Sequence, residues 1–279
     1  MAPFASLSLG VASGLYLLAS VLYQGHYWRR LAALVPYARP VTIAALSVHT
    51  LGLVLHGIQT GRLPLASVWE SLSVFAWLTV LVYLVIERRG RLAAVGAFAV
   101  PLAFLAILSA GLAVPHAHPA PASALPWLLV THALPSVLSY VAFLLAFCGG
   151  LLYLAQAWLL KAKRMTGLQR ALPSLEQLDH FAYRLVALGF PLLTLGIVTG
   201  AIWFGATRGS YWGWLLQEMW PLMTWLVYAI YLHARLVAGW NRGRTMWLLV
   251  AGFAIVVVTY VVAHPTLPGV HNPLLGDAA

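Results

Sequence analysis

Leu128-Leu-Val-Thr-His-Ala-Leu-Pro-Ser-Val-Leu-Ser-Tyr-Val-Ala-Phe-Leu-Leu-Ala-Phe-Cys-Gly-Gly-Leu-Leu-Tyr-Leu-Ala-Gln-Ala-Trp-Leu-Leu160 contains no aspartate, glutamate, lysine or arginine. About 20 apolar residues suffice to cross the hydrocarbon core of a bilayer, so this run can span it with length to spare. Tilt, or protrusion beyond the membrane, absorbs the excess. Seven shorter apolar runs accompany it, at 6–25, 41–58, 67–87, 92–112, 180–203, 217–239 and 245–264. The whole chain is 62% hydrophobic and 8% charged, whereas soluble domains carry roughly 25% charged residues, which excludes a soluble globular domain. Backbone groups in lipid must be satisfied within the structure, and the periodic turn signals of a β-barrel are absent. The expected fold is an all-α, polytopic integral membrane protein of about eight transmembrane helices, forming a single membrane domain over 1–279.

The basic residues orient it. Arg29, Arg30 and Arg39; Arg88, Arg89 and Arg91; Lys161, Lys163, Arg164 and Arg170; and Arg242 and Arg244 fall after the first, third, fifth and seventh spans. Arg184 and Arg235 lie near the same ends of their spans, and only Arg62 and Arg208 fall opposite. That asymmetry predicts both termini outside. It also accounts for the net charge of +10 without nucleic-acid binding, since the lipid bilayer is the partner that orders it. No lysine or arginine precedes Arg29, so the first run reads as a retained helix rather than a cleaved signal. Cys148 is the single cysteine, which excludes internal disulfides, thiolate metal clusters and a CxxCH haem-attachment site.

Between the sixth and seventh spans lies Trp203-Phe-Gly-Ala-Thr-Arg-Gly-Ser-Tyr-Trp-Gly-Trp-Leu-Leu-Gln-Glu-Met-Trp220. Tryptophan and tyrosine gather at membrane surfaces by default, so an aromatic belt is one reading. Topology supplies another. His132, at the outer start of the fifth span, and His271, in the tail after the eighth, share the outer side with this loop, with His264 a rival to His271 on position. Two imidazoles flanking a flat aromatic platform are what axial ligation of a haem iron requires. His233 lies deep in the seventh span and His49 in the second, where a histidine faces a partner or a cavity. Glu70 with Ser67 has capping-box spacing at the start of the third helix, as does Gln177 with Ser174 at the sixth. For Glu70 the cap is an adequate explanation; an intramembrane carboxylate of functional use is the alternative.

Several segments together resemble the cytochrome c assembly family, specifically its CcsA-like, haem-handling members of system II cytochrome c biogenesis. They are Leu178-Asp-His-Phe-Ala-Tyr-Arg-Leu185, Gly189–Trp203, Gly209-Ser-Tyr-Trp-Gly-Trp214, Thr224–Arg235, and Pro64-Leu-Ala-Ser-Val-Trp-Glu-Ser-Leu72. The last resembles the PLxNxxESL signature, with Ser67 in place of asparagine. The resemblance implies haem b, bound transiently, with His132 and His271 as external ligands and His233 as the membrane ligand. Trp203, Trp212, Trp214 and Trp220 would form the platform of the WWD motif, with Glu70, Arg208, Tyr211 and Glu218 as secondary contacts. It further implies a CcsB/ResB-type membrane partner, apocytochrome c as recipient, haem transport, and a bacterial cytoplasmic (inner) membrane location. Any catalysis would belong to a haem lyase or synthase complex, because the chain lacks the nucleophile or carboxylate dyad of a self-sufficient enzyme. Two departures stand out: Leu215 replaces the motif aspartate, and Arg208 replaces a tryptophan. They keep open a HemX-like regulator or chaperone without attachment activity; a di-haem electron-transfer protein is the third reading.

Overall fold

The computed structural model describes residues 3–29, 34–65, 67–87, 92–112, 126–163, 172–209, 211 and 216–263. Eight helices account for nearly all of them: α1 (Pro3–Arg29), α2 (Val35–Thr60), α3 (Val68–Glu87), α4 (Ala93–Leu112), α5 (Pro126–Lys161), α6 (Leu175–Arg208), α7 (Leu216–Leu236) and α8 (Arg242–Ala263). There is no strand among the described residues. Each expected span overlaps one helix, and among the described residues six helices meet the length and composition needed to cross a membrane. The protein is a multi-pass, all-helical membrane protein.

Local chemistry sets the helix ends. Ser67 and Glu70 form the expected reciprocal cap of α3: the Glu70 N–H donates to Ser67 Oγ at 3.1 Å, and the Ser67 N–H to Glu70 Oε2 at 3.2 Å. Ser174 and Gln177 do the same for α6, at 3.2 and 3.1 Å. Asn241 caps α8 through its side-chain oxygen, 3.0 Å from the Arg244 N–H. Helix α6 is longer than the apolar run 180–203 suggested, at 34 residues. Its helical turns continue through Phe204 and Ala206 until Gly209, whose φ of 74° ends it in the left-handed conformation that glycine adopts without strain. The residues expected as an aromatic loop over 204–216 therefore begin as the last turn of a helix, and α7 resumes at Leu216.

The chain forms two compact units. The first holds α1 to α4. Tyr16, Tyr23, Tyr83 and Val80 are fully or nearly buried there, beside the small residues Ala12, Ala19, Ala45, Ala97 and Ala103 that let the helices approach. Glu87 gathers the ends of three of these helices: it accepts hydrogen bonds from Tyr23 at 3.2 Å and Tyr83 at 3.0 Å, and its carboxylate lies 3.4 Å from Arg39 Nε.

The second unit holds α5 as far as Leu154, α6 from Asp179, α7 and α8. Its helices approach where side chains are missing. A β-carbon on Gly149 would lie 2.7 Å from Phe181, and one on Gly150 would lie 2.9 Å from Val250, so α5 lies close to both α6 and α8. Phe143 of α5 stacks on Tyr228 of α7 with ring centroids 3.7 Å apart. Trp225 of α7 donates its indole N–H to Thr194 of α6 at 3.0 Å.

One ion pair ties three helices of this unit together. Arg235 of α7 forks onto Asp179 of α6 at 2.6 and 2.8 Å, and Arg242 of α8 reaches the same carboxylate at 3.3 Å. The Asp179 side chain is only 5% exposed. Removing one member of a buried, hydrogen-bonded pair leaves the other charge uncompensated and costs about 3 kcal/mol. Asp179→Asn is expected to lower the unfolding free energy by about that amount in detergent denaturation. A cost near zero would show the clamp to be dispensable.

Candidate functional site

Helix α5 carries His132 near its start, and α6 receives it. The two run antiparallel, so that Ser136 packs on Gly196 and His132, one turn earlier, packs on Gly200. Pro135 has no N–H and leaves the Thr131 carbonyl without its helical donor; the Thr199 hydroxyl of α6 comes within 3.2 Å of that carbonyl. The half-buried imidazole of His132 places Nδ1 2.8 Å from the Gly196 carbonyl oxygen. A carbonyl only accepts, so Nδ1 carries the proton and the neutral ring has its lone pair on Nε2. Metal-binding histidines are held in this way, with one nitrogen donating to a carbonyl and the other free to coordinate. The donor set at His132 thus fits the ligand role expected of it.

Trp203 lies three residues beyond Gly200 on α6, which puts it on the same helix face about 4.5 Å further along the axis. It is half-buried, as is Trp220 on α7. Tyr211 is exposed, and its ring lies over Gly205, where a β-carbon would come 2.6 Å from Cδ1. Helix α6 therefore carries His132's support, Trp203 and the seat of Tyr211 in succession. Trp212, Trp214, Leu215, His264 and His271 lie outside the described residues, as do the side chains of Arg208 and Glu218.

His233 is exposed on α7, with no side-chain hydrogen bond among the described residues. Exposed Met223, Leu226 and Ile230 precede it at three- and four-residue spacing, forming one stripe along the helix. Two residues on, Arg235 turns inward to Asp179.

His49 and His56, the histidines of the first unit whose side chains are described, have partners of their own. His49 is fully buried, with Nδ1 3.3 Å from the Tyr16 hydroxyl and Nε2 3.0 Å from the Ser73 hydroxyl, so neither nitrogen is free for a metal. Glu70 does more than cap α3. Its carboxylate accepts both guanidinium nitrogens of Arg62, at 2.8 and 3.0 Å, and the Nε2–H of His56 at 2.9 Å.

Two groupings escaped sequence reasoning. The Asp179–Arg235 pair joins residues 56 apart, beyond the reach of any local pattern. The Gly196–Gly200 pair was visible as glycines four apart, but that spacing reads simply as helix packing until the occupant of the groove is known.

Fold and site together define a polytopic helical membrane protein in which the Gly196 carbonyl holds the His132 imidazole at Nδ1. The family model for the cytochrome C assembly protein matches residues 65–271. The chain belongs to the cytochrome c assembly protein family. Relatives named cytochrome c biogenesis protein CcsA include one from Guillardia theta, 31% identical, with 83% of each chain covered. Another, from Prochlorococcus marinus strain MIT 9303, is 34% identical over 81% of this chain and 80% of its own. A third, from Gloeobacter violaceus, is 30% identical over 95% of this chain and 92% of its own. Among solved structures, the cytochrome c heme lyase CcmF shares the fold with a TM-score of 0.67 at 18% identity. The match covers 92% of this chain but only 46% of that one.

The two roles of Glu70 separate by mutation. Ser67→Ala removes only a cap and is expected to cost about 1 kcal/mol. Glu70→Ala also strands Arg62 and His56 and is expected to cost about 3 kcal/mol in the same unfolding measurement. Equal costs would reduce Glu70 to a cap.

Proposed function

We propose that this protein holds haem for c-type cytochrome biogenesis, presenting it at the outer face of a bacterial cytoplasmic membrane for attachment to apocytochrome c. The observation that carries the reading is the His132 imidazole, held by the Gly196 carbonyl at Nδ1 so that Nε2 is the coordinating nitrogen. His271 would supply the second nitrogen ligand, and Trp203, Trp212, Trp214 and Trp220 would pack against the porphyrin. When bound, haem supplies the vinyl groups to which the thiols of a CxxCH segment add. The protein's own work is to bind, orient and shield. The histidines would hold the iron, the aromatic frame would hold the porphyrin, and Arg208 would pair with a propionate.

His233 serves haem in transit. Its exposure on an apolar stripe of α7 fits a ligand pair completed by another membrane helix, which a CcsB/ResB-type partner would contribute. The heme lyase name carried by CcmF is consistent with attachment occurring in such a complex. Leu215 favours a second reading, a HemX-type regulator or chaperone that binds haem without attaching it, because an aspartate is missing from the most polar part of the motif. The commitment of both His49 nitrogens speaks against a paired-histidine electron-transfer site.

Purified protein should show a reduced haem spectrum. His132→Ala and His271→Ala are each expected to weaken haem retention about ten-fold or more, and His233→Ala to remove a separate haem population. Undiminished haem in all three variants would overturn the ligand assignment. Wild-type haem binding with unchanged c-type cytochromes in a deletion strain would establish the regulator instead.

A further inference from the structure

We propose that Gly196 and Gly200 are positioning residues for His132: together they form a groove in α6 that fixes the plane, tautomer and coordinating nitrogen of its imidazole. The inference rests on the reading of His132 as a haem ligand and adds to it the part of the chain that prepares the ligand. Three contacts carry it. The Gly196 carbonyl receives Nδ1 at 2.8 Å. A β-carbon at Gly200 would lie 2.7 Å from Nδ1 and 2.8 Å from Cε1, so the ring occupies the volume that any other residue would fill. Ser136 fills the equivalent volume at Gly196, and its hydroxyl donates to the His132 carbonyl at 2.7 Å.

One turn of α5, from His132 to Ser136, is therefore seated in one turn of α6, from Gly196 to Gly200. The seat is rigid in the way the task requires. A helix backbone carbonyl cannot swing, so it sets both the rotation of the ring and the position of its proton. A side-chain acceptor would allow rotamers. Ligands oriented by a hydrogen-bonded support of this kind typically lose ten- to a hundred-fold in metal affinity, roughly, when the support is removed.

The geometry is tested first without haem. In detergent-solubilised protein, Gly200→Ala lowers the unfolding temperature, because the new methyl group collides with the ring. In a His132→Ala background the collision disappears, and Gly200→Ala becomes neutral or stabilising, as alanine is the better helix former. An equal fall in both backgrounds would overturn the seat. If Gly200→Ala alone fails to fold, recovery of folded protein in the double variant supports the proposal, and failure of both overturns it.

Function is then read by titration with haemin. Gly200→Ala should weaken binding about ten-fold or more and alter the low-spin absorption bands. The control is Gly189→Ala, which meets Phe143 equally tightly at 2.8 Å but is remote from His132; folded protein of this variant should keep the wild-type spectrum. Unchanged haemin binding in Gly200→Ala, with His132→Ala impaired, would overturn positioning alone. Unchanged binding in His132→Ala would overturn the ligand reading and the proposal with it, and the haem-free unfolding cycle would still report whether the groove holds the ring.

Discussion

The bilayer core contains no water, so every polar group placed there must find its partner within the protein. That constraint shapes this structure more than apolar attraction does, because lipid tails solvate leucine as well as a neighbouring helix can. The backbone satisfies it by forming helices almost throughout. Near the helix ends, three little-exposed carboxylates gather several partners each. Glu87 collects two tyrosine hydroxyls and an arginine, Asp179 a forked arginine and a second one beside it, and Glu70 an arginine, a histidine and a backbone N–H. Such clusters do not assemble themselves cheaply. They hold because helices meet closely at alanines and glycines, which brings the partners within bonding distance.

Within that logic the histidines sort themselves. His49 has both nitrogens satisfied and is therefore part of the framework. His56 donates one nitrogen to Glu70 and belongs to a charge cluster. His132 also has one nitrogen engaged among the described residues, but its partner is a backbone acceptor, the Gly196 carbonyl. His233 is different again, exposed on its helix with no side-chain hydrogen bond among the described residues. Under the proposed function, Nε2 of His132 would serve a ligand that the protein does not itself provide. Haem iron is such a ligand, and membership of the cytochrome c assembly family agrees with it.

Much of this was legible in the chain. Apolar run length gave the eight helices, since it responds directly to the membrane. Capping signals at Ser67–Glu70 and Ser174–Gln177 were read correctly because they are local. The extra turns of α6 were not, since Phe204–Arg208 is aromatic and polar as a loop would be, yet nothing there stops a helix before Gly209. The Asp179 clamp and the groove at Gly196 and Gly200 depend on register between helices, which no single segment encodes. Glu70 was underrated for the same reason, as its cap is local while Arg62 and His56 come to it through folding.

The proposed ligand role of His132 turns on which of its atoms would meet the iron. A structure of the haem-loaded protein tests it most directly. Bonding distance from iron to His132 Nε2, with Nδ1 still on the Gly196 carbonyl, is the predicted result. Haem bound remote from His132, or coordinated through Nδ1 with the Gly196 contact broken, would contradict it.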